Sequence, residues 1–346
     1  MKNRLLYLLS AAALLFALAA YGSVPSWTVE GMQNFYSGRS VYLSTNERPG
    51  SESENVCRLT LPFFNDYMKG AIILQNKRGN GGVEGLNWVY ERPDPDGIEL
   101  GEAVLLNVLL NKITELPGAN YDPNAFDYLF GISSEKFVFM VSEEGPYNSI
   151  EDLKAASGLK LGGTSAQGPI ALSAMSSCSL LDLDAKVITG YSNTGELILG
   201  LLSGELAALC VPIHLASSAD GVKVLFTLSS ERDPIFPDAP ALPELMQISA
   251  DKQQLFDLWD KLLLQSHVFY ASPGTDPDKL EFLRGMAGVL AGSSKFLDDV
   301  GTLLSLPVVA GDIIPGEQMQ KIVADTMENA PRIKSILQSV LDNYKA

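Results

Sequence analysis

Three short segments combine glycines with small polar residues in a pattern that can hold an anion. They are residues 76–85 (Asn-Lys-Arg-Gly-Asn-Gly-Gly-Val-Glu-Gly), 49–54 (Pro-Gly-Ser-Glu-Ser-Glu) and 162–169 (Gly-Gly-Thr-Ser-Ala-Gln-Gly-Pro). Glycine permits backbone conformations that other residues avoid and lets the backbone approach a ligand closely. Backbone N–H groups at a helix start, together with small hydroxyls, donate hydrogen bonds to a carboxylate. These residue types therefore favour the binding of a small anion.

The same segments fit catalytic and nucleotide-binding motifs poorly. No Gly-Lys-Ser/Thr follows the first segment, and Gly85 stands one place too late for a dinucleotide fingerprint. Ser165 is not in a Gly-x-Ser-x-Gly nucleophile elbow, because Gln167 stands where the second glycine is required. The only two histidines, His214 and His267, stand alone in the sequence, so neither a metal site nor a cofactor is expected. The sequence predicts a binding protein rather than an enzyme.

Each of these segments lies between a strand-like run and a helix, which is the arrangement that places a loop at the carboxyl end of a strand. Strand-like runs alternate with helical ones along the whole chain, which indicates an α/β fold with parallel sheets and right-handed crossovers. The predicted strand and helix pairs around the segments are 41–43 with 53–67, 71–74 with 85–91, and 159–161 with a helix from 169.

The first residues of the chain are typical of an export signal. Lys2 and Arg4 precede an apolar run from Leu5 to Ala20, which is shorter than the roughly 20 residues needed to cross a bilayer. Small residues at Ala17 and Ala19 suit cleavage. We expect a cleaved signal peptide over residues 1–22 and a periplasmic or otherwise extracytoplasmic location; an uncleaved anchor is the alternative.

Charge and cysteine content bear on which partners and cross-links the protein can have. The formal net charge of −16 disfavours nucleic acid as a partner, because such binding depends on Lys and Arg neutralising phosphates. The three cysteines, Cys57, Cys178 and Cys210, match no metal motif. We expect three buried thiols, with a Cys178–Cys210 disulfide as the alternative in an exported protein.

Taken in order, the motifs resemble one family, the extracytoplasmic substrate-binding proteins of tripartite tricarboxylate transporters, also called Bug or TctC-type receptors. The resemblance covers essentially the whole chain after the leader. It rests on the phrase from Asn76 through Gly85 to Pro95-Asp96-Gly97, on the two other glycine loops, on Tyr191-Ser192-Asn193-Thr194-Gly195 before a helix, and on the proline-rich stretch 236–244.

The loop of residues 49–54 departs from the family pattern, which is usually Pro-Gly-Gly-x-Thr-Asp. Ser51 replaces the second glycine, Ser53 replaces the threonine and Glu54 replaces the aspartate, while Asn46-Glu47 stand where Pro-Phe is usual. Glu52 adds a negative charge beside an expected anion site. An ordinary helix-capping loop is therefore the alternative interpretation of this segment.

The resemblance implies a two-lobed periplasmic-binding-protein fold of type II, with each lobe a mainly parallel sheet flanked by helices and the ligand in a cleft between lobes. It implies one discontinuous lobe of residues 26–136 with 228–346 and a second of 137–227. It places the ligand-binding residues in the loops of both lobes; for Asn193, helix capping alone is the alternative. The predicted ligand-binding residues are Ser51, Glu52, Ser53, Asn80, Gly81, Thr164, Ser165, Ala166, Gln167, Tyr191 and Asn193.

The implied function is reversible capture of a small organic acid and its delivery to the membrane permease subunits of a tripartite transporter. The protein is expected to act as a monomer and to make or break no bond. A solute-sensing or scaffold protein that kept the fold without a transport role is the alternative, and the altered first loop keeps it open.

Overall fold

The computed structural model describes residues 27–133, 136–262 and 267–346. The predicted signal peptide, residues 1–22, lies outside the described residues. Within those residues, none of the helices is both long enough and apolar enough to cross a membrane.

The described residues form strands and helices that alternate for most of the chain. The strands are β1 (Ser40–Thr45), β2 (Ala71–Asn76), β3 (Glu99–Val104), β4 (Asp127–Ile132), β5 (Phe137–Ser142), β6 (Leu159–Gly163), β7 (Ala185–Thr189), β8 (Leu209–Pro212), β9 (Val222–Thr227), β10 (His267–Ala271) and β11 (Ile313–Pro315).

The α-helices connect and flank these strands. They are α1 (Val29–Tyr36), α2 (Glu52–Met68), α3 (Val83–Tyr90), α4 (Leu105–Ile113), α5 (Ile150–Ala155), α6 (Pro169–Leu181), α7 (Thr194–Leu202), α8 (Ile213–Ser217), α9 (Leu242–Leu245), α10 (Ala250–Leu262), α11 (Pro277–Arg284), α12 (Met286–Ala291), α13 (Ser294–Leu304), α14 (Gly316–Glu328) and α15 (Ala330–Tyr344).

Contacts divide the described residues into two compact units. Unit 1 comprises residues 27–104, 118–133 and 267–324, and unit 2 comprises residues 105–117, 136–262 and 325–346. The predicted lobe boundaries stay a prediction. The two divisions differ at residues 105–117, which fall in unit 2. They differ again in the last part of the chain, because α10 and α15 pack on α6 and so fall in unit 2.

Unit 1 is built on one six-stranded sheet in the order β11-β4-β10-β3-β1-β2. The neighbours β2, β1 and β3 are parallel, whereas β10 pairs antiparallel with both β3 and β4. Phe64 of α2, Phe130 and Phe269 form an aromatic cluster against the sheet, with Phe130 and Phe269 stacked at 4.5 Å between ring centroids. All three rings are buried, and removing this apolar surface from water stabilises the packing of α2 on the sheet.

Unit 2 contains a three-stranded antiparallel sheet, β8-β5-β9, and a parallel pair, β6-β7. Helix α6 is buried along almost its whole length against these strands. Its apolar and small residues fit that position, because a helix without a polar face must be covered on all sides.

The α/β class is confirmed, but the expectation of mainly parallel sheets holds only for β2-β1-β3 and β6-β7. The remaining neighbours are antiparallel. Parallel neighbours need a crossover, usually a helix, between them. β4 and β10 instead enter the sheet of unit 1 after the chain has passed through residues of unit 2, so no helical crossover within the unit fixes their direction.

The three cysteines are free thiols, and all are buried. The alternative of a Cys178–Cys210 disulfide is therefore wrong in this structure. Cys178 and Cys210 lie in the core of unit 2, where burial raises the pKa of the Cys210 thiol to about 11 and keeps it protonated.

Candidate functional site

The first two glycine-bearing loops of the sequence meet at one edge of the sheet of unit 1. Strands β1 and β2 are parallel and end at paired residues, Thr45 and Asn76. The loops that follow them therefore leave the sheet side by side. The side-chain amide of Asn76 donates a hydrogen bond of 3.0 Å to the Glu47 carbonyl and joins the two loops. This is the edge at which open α/β sheets usually bind ligands.

The loop after β1 caps the N-terminus of α2 with its own residues. The Ser51 hydroxyl accepts a hydrogen bond from the Glu54 N–H at 3.3 Å, and the Glu54 carboxylate accepts one from the Gly50 N–H at 3.2 Å. Glu54 also pairs with Arg58 one turn later, at 2.5 Å. Through these bonds Arg58, first and foremost, lowers the pKa of Glu54. The Glu54 carboxylate and the Ser51 hydroxyl thus already accept hydrogen bonds from two of the backbone N–H groups at this helix start.

Ser53 keeps unused donors in the first turn of α2. Its side chain is buried, and within the described residues neither its hydroxyl nor its N–H has a recorded hydrogen-bond partner. First-turn N–H groups have no acceptor inside their own helix and carry the positive end of the helix dipole. Ser53 is therefore placed to donate to an anion that reaches this helix end.

The loop after β2 needs its glycines for steric reasons. Asn80 and Gly81 lie in a single 3-10 turn, Asn80–Gly82, that leads into α3. A Cβ on Gly82 would lie 2.6 Å from the Asn46 Nδ2, and a Cβ on Gly85 would lie 2.7 Å from the Asn46 Cβ. Gly82 also has a φ of 91°, which favours glycine. The glycines therefore let α3 start in direct contact with Asn46.

Asn46 itself presents a buried amide with no partner. Its side chain is only 5% exposed, and both Oδ1 and Nδ2 are without a hydrogen bond to any described residue. A buried unpaired polar group costs free energy comparable to its desolvation. Such groups are uncommon in folded proteins, and this one lies at the sheet edge where the two predicted binding loops meet.

A chain of buried polar side chains ends at the same helix start. The Thr45 hydroxyl donates to Glu102 Oε2 at 2.7 Å, and Glu102 Oε1 lies 2.8 Å from His267 Nδ1. His267 Nε2 in turn lies 3.5 Å from Glu52 Oε1. Glu102 is 0% exposed and His267 is 1% exposed. The last contact is an ion pair and not a hydrogen bond, because Nε2 has no hydrogen-bond partner among the described residues.

This geometry keeps His267 protonated. Burial alone lowers its pKa, but the hydrogen bond to Glu102 and the contact with Glu52 outweigh burial and raise the pKa to about 10. Glu47 lies within the same field, where burial and the charge of Glu102 raise the pKa of its carboxyl. The sheet edge of unit 1 therefore holds a buried imidazolium with one acid behind it and one in front.

Unlike the loop that caps α2, the loop between β6 and α6 in unit 2 has side-chain donors that make no hydrogen bond within the described residues. Thr164 and Ala166 are half-buried, and Ser165 and Gln167 are exposed. No side-chain bond caps α6 at Gly168. Within the described residues, the hydroxyls of Thr164 and Ser165 and the amide of Gln167 have no recorded hydrogen-bond partner. A Cβ on Gly168 would lie 2.6 Å from Ser165 Oγ, a contact that rotation of the exposed Ser165 side chain would relieve.

Tyr191 and Asn193 follow β7, the parallel neighbour of β6, and so lie at the same edge of that strand pair as the 164–167 loop. The Tyr191 hydroxyl donates to Glu205 at 2.9 Å. Asn193 caps α7, because its Oδ1 accepts a hydrogen bond of 3.0 Å from the Glu196 N–H. Both side chains have partners inside unit 2, and their predicted contact with a ligand stays a prediction.

Sequence reasoning missed Asn46, Glu102 and His267 as members of a site. His267 was judged isolated because its partner Glu102 is 165 residues away in the chain. A usable signal was present, since Glu102 and His267 each stand within or beside an apolar strand where a charged side chain is unusual without a partner. No group of three or more His, Cys, Asp or Glu in the described residues could hold a metal ion.

Comparison with solved structures finds the same fold in a solute-binding protein and in two proteins with bound carboxylates. A TctC solute-binding protein from Polaromonas matches with a TM-score of 0.67 at 16% identity, over 88% of this chain and 98% of its own. MatC from Rhodopseudomonas palustris, with bound malate, matches with a TM-score of 0.63 at 19% identity, over 85% and 98%. R. palustris Rpa4515 with adipate gives 0.66 at 15% identity, over 89% and 98%.

Structural similarity at sequence identities of 15–19% establishes the fold of the chain. The chain has the two-unit α/β fold of the solute-binding proteins, and the fold predicted from the family resemblance is confirmed. Sequence comparison adds nothing to this, because no family model and no curated protein matches the chain.

Proposed function

We propose that this protein is an extracytoplasmic solute-binding protein of the tripartite tricarboxylate transporter type. It captures a small carboxylate reversibly and delivers it to membrane permease subunits. The shared fold supports this proposal, and so do the ligands in two of the similar structures, malate in MatC and adipate in Rpa4515. The export signal predicted over residues 1–22 is consistent with an extracytoplasmic location.

The observation that carries the proposal is the loop between β6 and α6. Thr164, Ser165 and Gln167 offer donors with no recorded partner beside the uncapped start of a 13-residue helix. Hydrogen bonds to an ionised acceptor contribute roughly 1.5–3 kcal/mol each. A few of them would give an affinity near micromolar, about −8 kcal/mol.

Binding by these groups involves no covalent step, so the protein acts as a receptor and not as an enzyme. The proposed ligand-binding set remains the one named from the sequence, with the loop 164–167 as its strongest part. A monomer is sufficient for this role, because the predicted ligand-binding residues all belong to one chain.

A solute-sensing or scaffold role without transport is the second candidate. The observation that favours it is the internal saturation of the α2 start, where Ser51 and Glu54 occupy donors that a solute would use. A protein that had lost its solute would tolerate such replacement.

A ligand screen separates a solute-binding protein from a scaffold that binds no solute. Ligand-free protein, prepared by unfolding and refolding, is heated in the presence of malate, adipate, citrate, aromatic acids and amino acids, and hits are confirmed by calorimetry. Receptor function predicts a higher unfolding temperature with at least one carboxylate, because a ligand that binds only the folded state stabilises it by mass action. No shift across the panel would favour the scaffold role.

A further inference from the structure

The N-terminus of α2 combines a buried cation, whose Nε2 has no hydrogen-bond partner among the described residues, with a partly exposed acid in front of it. His267 is 1% exposed, and its Nε2 points to the first residue of a 17-residue helix. Glu52 reaches that nitrogen only at 3.5 Å, without forming a hydrogen bond. The Glu52 side chain is 32% exposed, so it borders solvent while His267 does not.

Glu102 explains why this cation persists in the core. It is 0% exposed and binds His267 Nδ1 at 2.8 Å, while its other oxygen accepts from Thr45 at 2.7 Å. A buried carboxylate with both oxygens bonded holds the imidazole in a fixed orientation and stabilises its charged form. The Nε2–H is consequently aimed at the α2 start by groups that do not themselves reach solvent.

Two features favour an anion at the place that the Glu52 carboxylate takes. They are the charged His267, whose Nε2 lies 3.5 Å from Glu52 Oε1, and the positive end of the α2 dipole. This is the setting of a carboxylate site, and the group that fills it at present is a carboxylate of the chain itself. The buried, unpaired amide of Asn46 at the same sheet edge is a separate sign that the edge is built for a further polar group.

We propose that the α2 N-terminus is an anion subsite of unit 1 that Glu52 occupies in the absence of solute, and that a carboxylate group displaces Glu52 from His267. The Glu52 side chain swings toward solvent, and the incoming carboxylate forms the hydrogen bond to Nε2 that Glu52 leaves incomplete. Glu52 thus acts as a tethered competitor that sets the affinity of the subsite. This inference rests on the proposed carboxylate-binding function.

The test compares Glu52→Gln with a charge-matched control, Glu30→Gln. Glu30 is also an acid in the first turn of a helix of unit 1 and is exposed, so its substitution changes the net charge equally. Malate and adipate affinities are measured by calorimetry for the native chain and for both variants. The expected result is binding to Glu52→Gln about tenfold tighter than to the native chain, with Glu30→Gln unchanged.

A second readout follows the histidine ring itself. The chain contains two histidines, so 15N-histidine labelling gives two ring systems, and His214→Gln assigns them. Saturation with malate is expected to shift the Nε2 resonance of His267, whereas a ligand bound elsewhere leaves it in place.

The outcomes separate the inference from the proposed function. If the native chain binds a carboxylate but Glu52→Gln binds no more tightly than Glu30→Gln, or the His267 resonances do not move at saturation, the subsite is wrong and the receptor function stands. If no variant, Glu52→Gln included, binds any carboxylate of the panel, the proposed function and the inference built on it both fall.

Discussion

At the scale of single residues, the least expected feature is the charged core of unit 1. Glu102 and His267 are fully buried next to each other, and breaking such a pair leaves an uncompensated charge in the interior. His267 contacts Glu52 at the α2 start, and Glu102 accepts a hydrogen bond from Thr45. One pair of residues therefore links the stability of the unit to the charge at the start of α2.

The pKa of His267 predicts a fall in stability with rising pH. The pKa is about 10 in the folded chain against 6.5 for an ordinary histidine, so above pH 6.5 the folded state holds a proton that the unfolded state loses. The free energy of unfolding should then decrease by up to about 1.4 kcal/mol per pH unit. Urea unfolding between pH 6.5 and 7.5 measures it, about one unit or more below the pKa of unfolded thiols near 8.5.

The control for this prediction is the double variant His267→Gln/Glu102→Gln, which keeps polar groups at both positions without their charges. The carboxyls that face His267 are Glu102, Glu52 and Glu47, and the last two remain in the variant. Its stability should vary little over the same pH interval. A slope equal to that of the native chain would show that His267 does not carry the extra proton.

Ser165→Ala tests the loop of unit 2. The Ser165 hydroxyl has no recorded partner in the described residues, so its removal should leave the unfolding temperature within about 1 °C. A carboxylate that it binds should lose tenfold to a hundredfold in affinity, the equivalent of one charge-assisted hydrogen bond. The matched control is Ser203→Ala, whose hydroxyl bonds within α7 to the Gly200 carbonyl. An unchanged affinity for a verified ligand would remove this loop from the site.

At the scale of elements, the start of α3 depends on glycine for contact with β1. Gly85 lies inside α3, and a Cβ there would come within 2.9 Å of the Asn46 backbone and of the Lys77 carbonyl. The backbone atoms cannot move aside cheaply, so the helix must shift. The glycine loop is therefore a packing device as well as a candidate binding loop.

Gly85→Ala should accordingly destabilise the protein by roughly 1–3 kcal/mol, although alanine is the better helix former. Gly288→Ala is the matched control, because Gly288 also lies inside a helix, α12, and a Cβ there would meet nothing within 4 Å. That substitution should stabilise by up to about 1 kcal/mol. Chemical denaturation of both variants measures the contrast, and equal effects would argue against close packing at α3.

At the scale of the whole molecule, the fold stands without covalent cross-links between its cysteines. Cys57 lies in unit 1, and Cys178 and Cys210 lie in unit 2, all fully buried. Burial is the main cause that raises the pKa of each thiol, and a protonated, covered thiol is a poor nucleophile.

Alkylation should therefore find no reactive thiol in the native protein and three after unfolding. Mass spectrometry of protein treated with iodoacetamide in urea should show three adducts per chain whether or not a reductant was added first. A chain that gains two adducts only after reduction would contain a disulfide and contradict the structure.

Much of this molecule was predictable from the sequence because its signals are local. Capping residues such as Ser149 and Asp276 mark helix starts in the sequence, and both side chains accept first-turn N–H groups. Strand directions were not predictable where the chain crosses between units, as at β10, because the hydrophobic pattern fixes a strand but not its neighbour. In the candidate site, the glycine loops were predicted from composition, whereas the pairing of Glu102 with His267 depends on sheet register.

The buried pair also makes a prediction about how this sequence can vary. Losing either Glu102 or His267 alone would strand a charge in the core, so the two positions are expected to change together or not at all. Among related chains, an acid at the position of Glu102 should accompany a histidine at the position of His267, and an acid at the position of Glu52 should be tolerated only where that histidine is kept. The three positions form a covariation signature by which chains with this binding edge could be recognised.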